Sequence, residues 1–79
     1  MAMAYSETTQ NFFDNIRALR REHNLTVEQM AARLGIEVGE LLLLEQDIMP
    51  STLSLTFLER LYPEFGIPSI RLFRTPDKA

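Results

Sequence analysis

Residues 25–45, LTVEQMAARLGIEVGELLLLE, read as two short helices joined by a tight turn. Thr26 stands at an N-cap position with Gln29 three residues on. At that spacing a hydroxyl and an amide side chain satisfy each other's free backbone N–H groups. Met30, Ala31 and Leu34 then share one helical face, and the small Ala31 lets a second helix approach closely. Gly35 follows, the residue type that ends a helix in the left-handed conformation without a Cβ penalty. Ile36 plugs the turn. The second helix runs from about Glu37 to Gln46, with Leu41 and Leu44 spaced i,i+3 toward the same core. The unit is a helix-turn-helix.

Working outward, the 79 residues make one domain, 1–79, with a core over about 9–73 and flexible ends at 1–8 and 74–79. A hydrophobic content of 46% argues against disorder. With no cysteine there is neither a disulfide framework nor thiolate chemistry. No basic start is followed by a long apolar run, so no signal peptide is expected. The longest apolar run, Leu41 to Leu44, is far short of the roughly 20 residues of a membrane span. The expectation is a soluble cytoplasmic protein with no membrane partner. Net charge is −3 and the sequence pI is about 5.0. That balance weighs against nucleic acid, whose binders neutralise phosphates with basic residues, although only the docking face counts.

Upstream, the spacing of Phe12, Ile16 and Leu19 predicts an amphipathic helix over about 9–22, capped by Ser6, Thr8 or Thr9 and ended by His23-Asn24. Phe13 sits beside the stripe and is expected half exposed. Downstream, Pro50 and the Ser51/Thr52/Ser54 cluster start a further helix with Leu55, Leu58 and Leu61 as its apolar stripe. Pro63 should stop it, because the residue before a proline is biased out of the helical region. Residues 68–73 make a short fifth helix, with Ile70 and Phe73 closing the core.

The run Leu19-Arg20, Leu25-Thr26, Met30-Ala31, Leu34-Gly35-Ile36, Leu41 and Leu44-Glu45 resembles the Cro and phage-repressor (XRE) class of helix-turn-helix domains. The likeness covers roughly residues 12–73. It implies an all-α bundle of five short helices of the lambda-repressor-like DNA-binding type. It also implies a transcription regulator that binds double-stranded DNA, with the second helix of the motif in the major groove. Arg20 aligns with the family's arginine that pairs with the glutamate of that helix, here Glu45. An Arg20–Glu45 brace is therefore expected; the alternative is two solvated charges worth little. Asp47 stands where the family usually has a glycine, and Asp tolerates the left-handed turn better than most residues.

The positions that the resemblance turns toward DNA are Thr26, Val27, Glu37, Val38, Gly39, Glu40, Leu42 and Leu43. They depart from the family's chemistry. Base reading needs donors and acceptors such as Arg on guanine or Gln on adenine, and valine, glycine and leucine supply none. Glu37 and Glu40 suit a helix N-terminus but face phosphate at unfavourable energy. No Lys or Arg lies between Leu34 and Glu59. DNA binding is accordingly expected to be weak.

Because a face set by Leu41 and Leu44 cannot also bury both intervening leucines, Leu43 at least is expected exposed. Val38, Leu42, Leu43, Ile48 and Met49 then form a candidate protein-docking patch. The alternative is that one leucine packs under later segments. Two functions follow: a small regulator with a degenerate reading face, or a protein–protein interaction or dimerisation module that kept the fold and lost DNA binding. An enzyme fits least. The lone His23 sits at a helix end, and no metal spacing, phosphate loop or catalytic set occurs. No cofactor, metal or small-molecule substrate is expected.

Overall fold

The long N-terminal helix organises the chain. In the computed structural model, which describes residues 6–75, α1 spans Glu7–Glu22, α2 Val27–Leu34, α3 Val38–Glu45 and α4 Leu61–Phe65. Two 3-10 helices, Leu55–Arg60 and Ser69–Phe73, flank α4. The described residues are all-helical, without strands. Ser6 caps α1, its hydroxyl accepting from the Thr9 N–H at 3.2 Å. Of the flexible ends expected at 1–8 and 74–79, residues 6–8 belong to the structured part and the Arg74 carbonyl is held by Asn15, while 1–5 and 76–79 lie outside the described residues.

Each of the four α-helices is followed by a left-handed residue. After α1, Asn24 (φ 53°) lets its own N–H donate to the Arg21 carbonyl and the Leu25 N–H to that of Arg20. After α2, Gly35 (φ 72°) lets its own N–H reach Ala32 and that of Ile36 reach Ala31. After α3, Asp47 (φ 64°) repeats the pattern, with Asp47 donating to Leu44 and Ile48 to Leu43. These are three Schellman turns, each followed by an apolar residue, Leu25, Ile36 or Ile48. Gly66 (φ 72°) closes α4 with a single bond to Tyr62.

The core is wholly apolar. Phe12, Phe13, Ile16 and Leu19 from α1 meet Met30, Ala31 and Leu34 from α2 and Leu41 and Leu44 from α3. Phe57, Leu61 and Leu72 complete it. Phe12 is the aromatic hub, with ring centroids 5.9 Å from Phe13, 6.0 Å from Phe57 and 5.5 Å from a stacked Phe73.

Four expectations are corrected here. Phe13 is fully buried, not half exposed, because α1 is covered by α3 as well as by the C-terminal segment. Leu55 is 63% exposed, and the inward pair is Phe57 with Leu61 rather than a leucine triad. The larger ring takes the interior site because it buries more area. Pro63 does not stop its helix. It lies in the first turn of α4, where a missing N–H costs no helical bond, and Gly66 ends the helix instead. Ile70 is exposed and Leu72 is buried, because the last segment is a 3-10 turn pinned through its backbone. The Asn15 side-chain amide donates to the carbonyls of Arg71, Leu72 and Arg74 at 3.2, 2.9 and 2.8 Å, and that of Asn11 to Phe73 at 3.3 Å.

The C-terminal end of α3 carries no basic residue of its own. Helix α1 supplies two. Arg20 grips Glu45 with both ends of its fork, Nε to one carboxylate oxygen and Nη2 to the other at 2.9 Å, while Nη1 donates to the Leu25 carbonyl at 3.1 Å. Arg17 pairs with Asp14 and Asp47 and donates to the Glu45 carbonyl at 3.2 Å. Gln10 donates to Asp14 and Asp47 as well. Two cations thus sit where the helix dipole is negative and free carbonyls need partners. The Glu45 side chain is only 14% exposed and that of Arg20 30%, so this fork is better shielded than an ordinary surface pair.

Removing either partner of that fork leaves a shielded charge without its hydrogen bonds. Arg20→Ala and Glu45→Ala should each lower stability in urea by about 1–3 kcal/mol. The double variant should cost clearly less than the sum of the singles; strict additivity would mark two independent surface charges.

Asp47 contributes through both backbone and charge. Its hydrogen bond from Arg17, helped by one from Gln10, holds the carboxyl below its ordinary value against the opposing effect of burial. The folded state therefore binds fewer protons than the unfolded chain in that window. The contribution is complete above the ordinary carboxyl value of about 4 and is lost as pH falls through the lower folded value. Asp47→Asn should flatten the acid limb of a stability–pH curve below about pH 5. At neutral pH Asp47→Ala should be worse than Asp47→Gly, since alanine loses the pair and also strains the left-handed turn.

Candidate recognition surface

The positions singled out from the sequence fall into three groups. The first serves the scaffold. Thr26 caps α2, its hydroxyl accepting from the Gln29 N–H at 3.0 Å while the Gln29 side chain accepts from the Thr26 N–H at 2.9 Å. Val27 is half-buried against the core. Glu40 is half-buried too, one carboxylate oxygen accepting from the Glu37 N–H at 3.0 Å and the other from the Thr52 hydroxyl at 2.8 Å. Thr26 and Val27 have little freedom to meet another molecule, whereas the Glu40 carboxylate is held in place by two neutral donors and keeps its charge uncompensated among the described residues.

The second group is open. Glu37 caps the entry to α3 and is exposed, Val38 is 36% exposed and Leu42 44%. Val38 and Leu42 lie one turn apart on the same side of α3. Gly39 stands next to Leu42 around the helix, with nothing within 4 Å of where a Cβ would stand.

The third group flanks that side. The chain leaves α3 at Asp47 and is back beside its first turn by Thr52, which bonds Glu40. Ile48 and Met49, 43% and 40% exposed, begin this return. The expectation that Leu43 at least is exposed is corrected: Leu43 is half-buried, while Leu42, also assigned to the patch, is exposed. The returning loop is the reason, since the Ile48 N–H bonds the Leu43 carbonyl at 2.9 Å and a Schellman turn stacks its two apolar residues.

The electrostatics of this surface follow from the clamp described above. Glu45 and Asp47 are paired with Arg20 and Arg17, whereas Glu37 and Glu40 have no cation among the described residues. The outer side of α3 is therefore apolar with an uncompensated acidic end. Arg21, Arg33, Arg60, Arg71 and Arg74 are exposed on other elements. Arg33 lies over the Phe65 ring at 5.9 Å, and His23 meets the same ring edge-on at 5.1 Å. Arg60 reaches across to the Gly35 turn and donates to the Arg33 carbonyl at 3.5 Å. Sequence reasoning missed this cluster, because Arg33, Arg60 and Phe65 have no common spacing along the chain.

Among the described residues no group of His, Cys, Asp or Glu is arranged to hold a metal ion, and no helix is long and apolar enough to cross a membrane. No family model matches the chain, and neither a curated protein nor a solved structure is found to be similar to it.

The two central leucines should respond differently to charge. Leu42→Glu should change stability by no more than about 0.5 kcal/mol. Leu43→Glu, which loses its contact with the loop, should cost about 1–2 kcal/mol in the same urea titration. Equal costs would show that the loop does not cover Leu43.

Proposed function

We propose that this chain is a small helix-turn-helix regulator of the Cro and phage-repressor (XRE) type, cytoplasmic and non-enzymatic, whose own DNA binding is weak. The observation that carries the class is the α2–α3 unit and its brace. A capping box opens α2, a left-handed Gly35 closes it, and Arg20 of α1 grips Glu45 at the end of α3. Those are the residues on which the resemblance rests, and here they meet in space.

The weakness of DNA binding follows from chemistry. Val38, Gly39 and Leu42 offer no base-reading donors or acceptors, and Glu37 repels phosphate. Exposed apolar side chains in the same place favour a second reading, a protein–protein interaction or dimerisation module built on this fold.

Fluorescence anisotropy of labelled duplex DNA, at low and then at raised salt, tests the regulator reading. The expected result is weak binding, in or above the non-specific range of about 10⁻⁴ to 10⁻⁶ M, that fades steeply with salt and barely depends on sequence. Flat anisotropy at low salt up to about 10⁻⁴ M would remove DNA from the function and leave the interaction module.

A further inference from the structure

We propose that the outer side of α3 docks a basic amphipathic helix from another protein, with Gly39 as the point of closest approach. The first observation is a glycine that the fold does not need. Gly39 sits in the first turn of a helix, has no left-handed φ, and faces open space. Glycine there weakens the helix relative to alanine. Neither a turn nor an internal close approach offsets that cost, as they do at Gly35. A bare backbone spot beside Leu42 lets a second helix pack at a short interaxial distance, with the apolar ridge of Val38 and Leu42 along one side of it.

The second observation is charge. From Gly35 to Leu58 the chain carries Glu37, Glu40, Glu45 and Asp47 and no cation. The α1 arginines neutralise Glu45 and Asp47. The docking surface is therefore apolar along Val38, Leu42 and Ile48, and acidic where Glu37 and Glu40 stand. That pattern selects among occupants. Nucleic acid brings phosphates against two carboxylates. A second copy packed two-fold on the same face brings Glu37 and Glu40 against their own equivalents. A helix with leucines on one side and lysines or arginines beside them meets both features with the correct sign. This inference concerns the surface alone and stands whether or not the domain also touches DNA through its other arginines.

The test titrates the intact chain into a fluorescein-labelled Leu/Lys peptide of about 15 residues, long enough to form a helix on contact. Its leucines repeat at helical spacing. The control has the same composition in an order that removes the face. Anisotropy reports affinity, and ¹⁵N amide shifts report the site.

The patterned peptide should bind at least about tenfold more tightly than the control, with shifts centred on residues 38–43 and 48–49. Gly39→Leu and Leu42→Ser should each weaken binding by about tenfold or more, with helical circular dichroism retained. Gly39→Ala should raise the Tm by a few degrees yet weaken binding, a split that a purely structural glycine would not give. Tyr62→Ser, at a side chain 71% exposed elsewhere, should change nothing. Equal binding of the two peptides overturns the proposal, as do shifts centred on α4 or on duplex DNA addition at these same amides. A concentration-dependent dimer of the chain alone that Gly39→Leu dissolves also overturns it and identifies the occupant as a second copy.

Discussion

The hold of α1 on the end of α3 is the constraint on which the rest of the structure depends. A helix of eight residues is too short to persist alone in water, and α3 has no basic residue in its last turn to stabilise its own carbonyl end. Arg17 and Arg20, three residues apart on α1, reach across to it together. Their spacing puts both guanidinium groups on one side of α1, just beside the stripe that buries Phe12, Ile16 and Leu19. The same rotation of α1 therefore serves the apolar core and the polar clamp at once. Local pattern and tertiary contact agree, as they do in sequences that specify one structure.

The clamp also decides what is left on the surface. Of the four carboxylates between Gly35 and Leu58, the two at the C-terminal end of α3 are neutralised by α1 arginines, and the two at its N-terminal end have no cation among the described residues. The outer side of α3 is accordingly neither a basic nucleic-acid surface nor an ordinary solvated one. Its leucine is outward and its glycine bare, and its acids stand where helix-dipole electrostatics favour them. Stability and recognition draw here on different ends of one short helix.

The turns carry a comparable economy. Asn24, Gly35 and Asp47 each take the left-handed conformation and each hand the chain to an apolar residue that packs inward or alongside. Asp47 does more than glycine would, because its carboxylate returns to Arg17 and Gln10. At this position the strain of a left-handed non-glycine residue is offset by a side chain that ties the turn to α1.

Much of this was legible in the residues. The helical spacing of Phe12, Ile16 and Leu19, the Thr26/Gln29 box, Gly35, and the pairing of Leu41 with Leu44 determined where the first three helices lie and which sides they bury, because each is a local rule with a fixed period. The sequence alone also determined the chemistry of the α3 face, since no arrangement of the chain could place a lysine or arginine of that segment there. Tertiary structure decided the rest. It turned Phe13 inward by covering a second side of α1, and chose Phe57 over the neighbouring leucines by size. It let Pro63 into a first turn that has no bond to lose, and used Asn11 and Asn15 to pin the C-terminal carbonyls. It also drew Leu43 partly under the loop that returns to Glu40 and left Leu42 exposed. The cover over Phe13 and the pins from Asn11 and Asn15 join residues far apart in the chain, and no local period encodes such a contact.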